Sequence, residues 1–301
     1  KDERAIAALN RLIQQYKPVE DSWLLRRAAL LYQRGDIVQA WQSLTEVEKK
    51  MPANRGDYWR TYAELSRLVD KKDNAERAYQ HLTDEFQFSD ADLMNYSALQ
   101  IDSDPLNAAF LNELSYRLYG QDNAVIGVLF LYQKAHHLEG AEKFLASLTA
   151  DELAHLEKNA LFLEQRGQLY WTQKKLAEAQ ADYEHALRLA PKLSRLLQGL
   201  VGVLIEQHKN QELKTVLLAA ETTAERSPPL WSTWASGWLA LQQPLRALPF
   251  QQAYTRTRPE DGLAQLTLAD ILAATGNEES ATSIRKAIWQ QRAILTQNET
   301  G

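Results

Sequence analysis

The sequence of 301 residues contains no cysteine, only 12 glycines and 9 prolines, and no long basic tract. The absence of cysteine excludes a disulfide scaffold, a thiol nucleophile and thiolate zinc sites. It leaves the compartment open, because a chain without cysteine suits oxidising and reducing surroundings alike. The longest apolar stretch, around 124–132, is about half of the ~18 residues that a membrane helix needs, so we expect no transmembrane segment.

The formal net charge of −5, without a basic tract, argues against nucleic acid as a partner. Glycine and proline are scarce, whereas alanine, leucine, glutamine, glutamate and arginine are frequent, a composition that favours helices. Apolar residues also follow a three-four spacing, as at Leu176, Ala179 and Tyr183, and no sustained alternation typical of strands occurs. The sequence therefore predicts an all-α protein. Because it begins at Lys1 and not at methionine, we interpret it as an excerpt or a processed form.

Three registers of the C-terminal half keep small or apolar residues at a period of 34. The registers are Gly167, Val201, Ala235 and Ala269; Ala179, Leu213, Ala247 and Ala281; and Tyr170, Leu204, Trp238 and Leu272. A fixed period of this length is the signature of a repeat protein, in which stacked units bury one another's apolar faces.

The best unit resembles the tetratricopeptide repeat (TPR), a pair of antiparallel helices. Its matching residues are Leu163, Gly167, Tyr170, Ala179, Tyr183, Ala186 and Pro191. Small residues at Gly167 and Ala179 allow two helix axes to approach to ~8–10 Å, and Pro191 cannot continue a helix. The resemblance implies a TPR array, which is a right-handed superhelical solenoid of antiparallel helix pairs.

The repeat pattern divides the chain into parts of different regularity, with about eight full units and one half unit at a period of 34. The predicted parts are a truncated half repeat at 1–20, N-terminal TPR-like repeats at 21–150 that are degenerate from about 89, C-terminal repeats at 151–296, and a polar tail at 297–301. A start in mid-unit predicts an exposed apolar end near Ile6, Leu9 and Ile13, unless an upstream repeat or a crystal neighbour covers it. Helix pairs are expected to turn at Gly35-Asp36, Gln243-Pro244 and Gly276-Asn277.

The sequence lacks the common catalytic and nucleotide-binding motifs, including GxxxxGK[ST], GxGxxG, HExxH and GxSxG. Adjacent residues point to different faces of a helix, so His136 and His137 favour a surface or inter-repeat role over a metal site. No carboxylate pair has a spacing suited to acid–base catalysis, although a pair assembled across the solenoid stays open. We therefore expect no enzyme, no catalytic residue, no metal and no cofactor.

Candidate partner-binding residues lie on the first helix of each unit, which forms the concave face of a TPR array. They are Asp57, Arg60, Glu64, Arg67, Glu164, Gln168 and Trp171. The first four, at three-four spacing, fit either a binding site or a solvated face whose charges pair with one another. Three roles are open for Trp171: its ring stacks on a sugar, binds a peptide, or packs against the next unit. Trp234 and Trp238 fall on the packing registers and are expected in the core.

The Lys, Asn and Arg clamp by which chaperone-binding TPR proteins hold a C-terminal carboxylate is not found here. The corresponding positions include Leu25, Ala29, Leu93 and Ser97.

Acidic residues are concentrated between 78 and 133, a segment that contains eight carboxylates and only one basic residue, Arg117. We call six of them the acidic strip: Asp84, Glu85, Asp90, Asp92, Asp102 and Asp104. The strip is interpreted either as an ordinary soluble helix surface or as a surface that attracts a basic protein or a cationic polymer. In the second case its effect fades with salt.

The last third of the chain looks like the periplasmic repeat region of Pel-type bacterial exopolysaccharide export proteins. The stretches that carry this likeness are 199–208, 229–250, 258–262, 268–277 and 284–289. The resemblance implies a periplasmic, non-catalytic scaffold within an outer-membrane export protein. Such a scaffold recruits the polysaccharide-modifying deacetylase/hydrolase, and helps guide a partly cationic polymer to the outer-membrane pore.

Two alternatives stay open. One is a general TPR adaptor, cytoplasmic or in the envelope, that binds a peptide in its concave groove. The other is a polysaccharide-active enzyme.

Overall fold

A computed structural model of the chain describes residues 2–298, with side chains up to residue 290. The described residues form nineteen α-helices and two 3-10 turns, Glu48–Lys50 and Pro228–Leu230, and they contain no strand. The all-α prediction is therefore confirmed. Of the predicted polar tail at 297–301, residues 299–301 lie outside the described residues. None of the described helices combines the length and the apolar character that crossing a membrane requires.

The helices fall into two compact units, the first ending at Lys143 and the second beginning at Phe144. The first unit contains α1 (Asp2–Gln15), α2 (Asp21–Arg34), α3 (Ile37–Thr45), α4 (Gly56–Leu68), α5 (Lys72–Asp84), α6 (Asp90–Gln100), α7 (Pro105–Tyr119) and α8 (Asp122–Lys134). The division falls inside α9 (Leu138–Ala146). The second unit contains α10 (Ala150–Leu156), α11 (Ala160–Thr172), α12 (Leu176–Leu189), α13 (Ser194–Glu206), α14 (Asn210–Ala219), α15 (Glu221–Glu225), α16 (Trp231–Ala240), α17 (Pro244–Thr257), α18 (Gly262–Ala274) and α19 (Glu278–Asn298).

Consecutive helices pack as hairpins, as the TPR resemblance implies. In the first unit the packed pairs are α2 with α3, α4 with α5, and α6 with α7. In the second unit they are α11 with α12, α13 with α14, α16 with α17, and α18 with α19. Each pair also contacts a helix of the next pair, as α12 does with α13 and α17 with α18, so the apolar face of one pair is covered by its neighbour.

The three registers of period 34 lie in the interior of the second unit, except that Tyr170 is half-buried. Val201, Ala235, Ala269, Ala179, Leu213, Ala247, Ala281, Leu204, Trp238 and Leu272 are all buried. A Cβ built on Gly167 would lie 3.4 Å from the Tyr183 ring and 3.5 Å from the Ala179 carbonyl oxygen. The close approach of α11 and α12 at this glycine confirms the helix crossing that the sequence predicted.

The turn inside each hairpin of the second unit contains one residue with positive φ. These residues are Lys174, His208, Gln242 and Gly276, with φ of 61°, 55°, 58° and 88°. They follow one another at the same step of 34 as the buried registers. Turns at Gly35, at Gln242–Gln243 and at Gly276 confirm the predicted bends. In the degenerate stretch, positive φ occurs at Gly120, after α7, and at His136, before α9.

The prediction of an exposed apolar end was wrong. Ile6 and Ile13 are 6% and 9% exposed, and Leu9 is half-buried. A single helix has one narrow apolar stripe, and α1 buries that stripe by packing on α2.

Candidate functional site

A groove of about 450 Å³ lies between α11, α13 and α16 in the second unit. These are the first helices of three successive hairpins, so the groove lies on the face where sequence analysis placed the candidate residues. Its lining residues are Glu164, Gln165, Gln168, Trp171, Tyr183, Arg195, Gln198, Gly199, Gly202, Ile205, Ser232, Thr233 and Ser236. The structure thus brings the predicted Glu164, Gln168 and Trp171 together.

Most groove residues that the sequence analysis missed lie 34 or 68 positions from another groove residue, so they occupy equivalent positions in successive repeats. The equivalent positions are Glu164, Gln198 and Ser232; Gln165, Gly199 and Thr233; Gln168, Gly202 and Ser236; and Trp171 and Ile205. The period that identified the core registers is therefore also the signal that could have found the groove.

The Trp171 indole is half-buried, and a residue of the next hairpin fixes its position through a hydrogen bond. Its Nε1 donates a hydrogen bond of 2.6 Å to Glu206 Oε2, and Lys174 Nζ donates one of 2.6 Å to the other carboxylate oxygen. Lys174 and then Trp171 lower the pKa of Glu206 through these bonds. A Cβ on Gly202 would lie 2.3 Å from the Trp171 ring, so only glycine leaves room for the indole here. Trp171 both packs against the next repeat and lines the groove.

An ion pair crosses the groove between α11 and α13. Arg195 Nε lies 2.7 Å from Glu164 Oε2, whose side chain is 13% exposed, whereas that of Arg195 is 54% exposed. Burial raises the pKa of Glu164, and the charge of Arg195 offsets part of this effect. Tyr183 donates a hydrogen bond of 3.2 Å to Gln168 Oε1, and burial raises the pKa of this tyrosine.

Arg166 fastens α11 to α12 beneath the groove. Its Nε and Nη2 each donate a hydrogen bond of 2.7 Å to the Asp182 carboxylate, and Nη1 donates one of 2.9 Å to Glu157. Burial acts to lower the pKa of Arg166, but the bonds to Asp182 outweigh it and raise that pKa. Paired guanidinium–carboxylate bonds of this kind fix both orientation and distance.

All four candidate residues on α4 have partners within the first unit, that of Arg67 being Tyr79. Arg60 donates to Asp92 Oδ2 at 2.9 Å and to a backbone oxygen at 2.6 Å. Glu64 accepts a hydrogen bond of 2.7 Å from Tyr32, and this bond raises the tyrosine pKa. Asp57 pairs with the preceding arginine at 3.1 Å. Arg67 is exposed.

A smaller, mainly apolar groove of about 210 Å³ lies between α2 and α4 in the first unit. Its lining residues are Leu25, Ala28, Ala29, Leu44, Arg55, Asp57, Tyr58, Thr61 and Leu65. Asp57 is the predicted site residue that borders it. Leu25 and Ala29, at two of the clamp positions of chaperone-binding TPR proteins, give this groove its apolar character.

Two aspartates of the acidic strip take part in capping the N-termini of helices. Asp92 accepts hydrogen bonds from the backbone and hydroxyl of Ser89 at 2.8 Å each, forms a capping box for α6, and also binds Arg60. Asp104 caps α7 by accepting a hydrogen bond of 3.0 Å from the Asn107 backbone. Asp92 is only 5% exposed, so it adds little to a surface potential.

The other members of the acidic strip differ in their exposure. Asp102 pairs with Lys134 at 2.7 Å, which lowers the Asp102 pKa, and Asp90 accepts a hydrogen bond from Ser115. Asp84 and Glu85 are exposed at the end of α5. The solvent-facing carboxylates of the strip are thus Asp84, Glu85, Asp102 and Asp104, and of these Asp102 is paired with Lys134.

The remaining sequence candidates fit structural roles. Trp234 and Trp238 are completely buried, which confirms their predicted place in the core. His136 occupies the positive-φ position of the turn before α9, with φ of 54°. Within residues 2–298, no group of three or more histidine, aspartate and glutamate side chains could hold a metal ion.

Solved structures with the same fold come from several bacteria. The C-terminal part of a TPR repeat-containing protein from Cytophaga hutchinsonii has a TM-score of 0.56 and 12% identity, covering 81% of this chain and 99% of that one. A tetratricopeptide repeat protein from Parabacteroides merdae gives 0.51 and 17%, covering 84% and 98%. The pilF protein of Pseudomonas aeruginosa gives 0.51 and 14%, covering 73% and 93%. At these identities the likeness concerns the fold alone.

No curated protein matches this sequence. A family model described as Tetratricopeptide repeat matches residues 11–293, nearly the whole chain. This match agrees with the hairpins, the buried registers of period 34 and the turns that repeat at the same step. The chain belongs to the tetratricopeptide repeat family.

Proposed function

We propose that the chain is a non-catalytic scaffold of Pel-type exopolysaccharide secretion, acting in the periplasm as part of an outer-membrane export protein. A TPR fold is consistent with a scaffold for protein–protein interaction. The observation that carries the proposal is the groove of α11, α13 and α16. Gly199, Gly202 and Ile205 of α13 and Ser232 and Ser236 of α16 line it, and they lie in the stretches 199–208 and 229–250 that resemble export proteins.

In this role the chain recruits the periplasmic polysaccharide-modifying deacetylase/hydrolase and helps guide the polymer to the pore. A groove built from three successive hairpins suits an extended ligand, because equivalent positions recur along it. Asp84 and Glu85 supply an exposed negative charge that attracts a basic protein or a cationic polymer.

A pull-down from bacterial envelope extract tests the proposal. The tagged chain is compared with the double variant W171A/Q168A and with W289A, which changes an exposed tryptophan on α19. We expect a polysaccharide deacetylase or hydrolase, identified by mass spectrometry, to co-purify with the native chain and W289A. Its recovery falls with the groove variant. Recovery of unrelated proteins alone from an exopolysaccharide-producing strain contradicts the proposal.

A general adaptor that binds a peptide in its concave groove, in the cytoplasm or the envelope, is the second candidate. The apolar groove of the first unit favours it, because Leu25, Tyr58 and Leu65 suit an apolar peptide anchor. Competition by a defined peptide for partner binding, lost in L25E and kept in W171A, distinguishes this function. Hydrolytic or deacetylase activity of the pure chain is the outcome that supports the third candidate, a polysaccharide-active enzyme.

A further inference from the structure

We infer that the groove of α11, α13 and α16 is a saccharide site, in which a neutral pyranose ring lies against Trp171. The inference rests on the proposed function for its choice of polymer, and it names the ligand class of the same groove. Three features carry it: the amide and hydroxyl groups of the lining, the fixed indole, and the internal neutralisation of charge.

The groove lining is rich in amide and hydroxyl groups. They belong to Gln165, Gln168, Gln198, Ser232, Thr233 and Ser236. An amide offers donors and an acceptor in one plane, and a hydroxyl offers both functions on one atom. Sugar hydroxyls are likewise both donors and acceptors, so such a lining satisfies them at several points. Gln168 and Gln198 are already oriented, the first by Tyr183 and the second by a hydrogen bond to the Pro229 carbonyl oxygen.

Trp171 supplies the apolar part of the site. One side of a pyranose ring presents C–H groups, and a flat indole covers such a surface while its polar neighbours bind the ring hydroxyls. The bond to Glu206 and the close packing on Gly202 hold the indole before any ligand arrives. A fixed platform reduces the entropy lost on binding.

The charge balance favours a neutral ligand. The only charged lining residues are Glu164 and Arg195, which pair with each other across 2.7 Å. A cationic sugar gains no free carboxylate here, and an acidic peptide gains no free base. The volume of about 450 Å³ falls within the range of small-ligand sites.

Titration of the full chain with defined oligosaccharides tests the inference. The probes are oligomers of N-acetylgalactosamine and of N-acetylglucosamine, with galactosamine oligomers as the cationic comparison and calorimetry with tryptophan-indole NMR as readouts. We expect the acetylated oligomers to bind and to shift the Trp171 indole signal. W171A weakens binding at least about tenfold, W171F keeps most of it, and W289A binds like the native chain.

Q168A, at an exposed groove position, provides a second variant if W171A fails to fold, and it also weakens binding. Tighter binding of galactosamine oligomers overturns the neutral ligand. Unchanged affinity in both W171A and Q168A, or no binding of any oligosaccharide, overturns the site. The site is also overturned if a peptide shifts the NMR signal of the Trp171 indole and no sugar does.

The pull-down provides an independent readout. If the deacetylase/hydrolase co-purifies while no sugar shifts the Trp171 signal, the saccharide site fails and the scaffold function stands. If sugars bind at Trp171 while no polysaccharide enzyme co-purifies, the scaffold function fails and the site stands.

Discussion

At the scale of single residues, Arg166 is the strongest charged contact of the second unit. Its side chain is 12% exposed and that of Asp182 is 8% exposed, so removing the arginine leaves a buried carboxylate without its bidentate partner. We expect R166A to lower the free energy of unfolding by about 3 kcal/mol, measured by urea denaturation. The control is R55A, which breaks an exposed pair with Asp57 and should leave stability unchanged. Equal losses in both variants would contradict the role of burial.

Glu164 and Glu206 should give opposite dependences of stability on pH. Burial raises the pKa of Glu164 above its ordinary 4.5, so its contribution to stability is complete below that value and is lost as pH rises through the raised pKa. Lys174 and Trp171 lower the pKa of Glu206, so its contribution is present above 4.5 and is lost as pH falls through the lowered pKa.

The measurement is the unfolding free energy of E164Q and of E206Q relative to the native chain, at several pH values from 3 to 7. As pH rises from acid to neutral, the unfolding free energy of E164Q should increase relative to that of the native chain. That of E206Q should decrease relative to the native chain. The same direction of change in both variants would show that the carboxylate environments are not those described.

Some of these residue roles could be predicted from sequence and others could not. Trp234 and Trp238 were assigned to the core because repeats of one period share one packing environment. The bond between Trp171 and Glu206 was not foreseen, because it joins two hairpins. It depends on the absence of a side chain at Gly202, which periodicity alone does not explain.

At the scale of elements, the positive-φ turns offer a stabilising substitution. Gln242 has φ of 58°, in a left-handed region where a Cβ is unfavourable. We expect Q242G to raise the free energy of unfolding by about 0.5 kcal/mol, because the relief of this strain exceeds the added flexibility of the unfolded chain. Q80G, at an exposed site within α5, should instead lower it by about 1 kcal/mol. Thermal unfolding of both variants checks the sign.

Residues of the acidic strip have two different roles: Asp92 caps a helix, whereas Asp84 and Glu85 carry exposed surface charge. D92N removes a capping carboxylate that also binds Arg60, and should cost about 1–3 kcal/mol of stability. The double variant D84N/E85Q changes exposed groups only and should unfold like the native chain, while it weakens low-salt binding to a cationic polymer. Unchanged polymer binding in D84N/E85Q would exclude these two carboxylates as the charge that attracts the polymer.

Helix positions were predictable where propensity, period and turn residues agree, as for α17, which starts at Pro244. The turns at Lys174 and His208 carry no glycine or proline, so composition does not reveal their left-handed residues. Their spacing from Gln242 and Gly276 in whole steps of 34 residues does reveal them, because equivalent turns share one backbone conformation.

At the scale of the whole molecule, repeat proteins transmit destabilisation mainly to adjacent repeats. We therefore expect R166A to raise hydrogen exchange in α11, α12 and α13, and to leave the protection of α2–α5 unchanged. Mass spectrometry of peptides from each hairpin measures this gradient. Uniform loss of protection along the chain would indicate one fully cooperative structure.

Compact units are less visible in sequence than repeats are. The pattern places a change in regularity near residue 150, whereas contacts divide the chain after Lys143. A period reports which residues are equivalent, but the density of contacts depends on how individual side chains fill each interface. The buried residues Ile6 and Ile13 show the same limit of sequence analysis. The pattern identified an apolar stripe on the first helix, but it did not identify the helix that covers this stripe.

The step of 34 shared by the groove positions and the positive-φ turns has an evolutionary consequence. Duplicating or deleting one 34-residue segment lengthens or shortens the groove by one helix while the hairpin turn is copied intact. Groove length is therefore inherited in whole repeats, and among related chains it should change by whole helices.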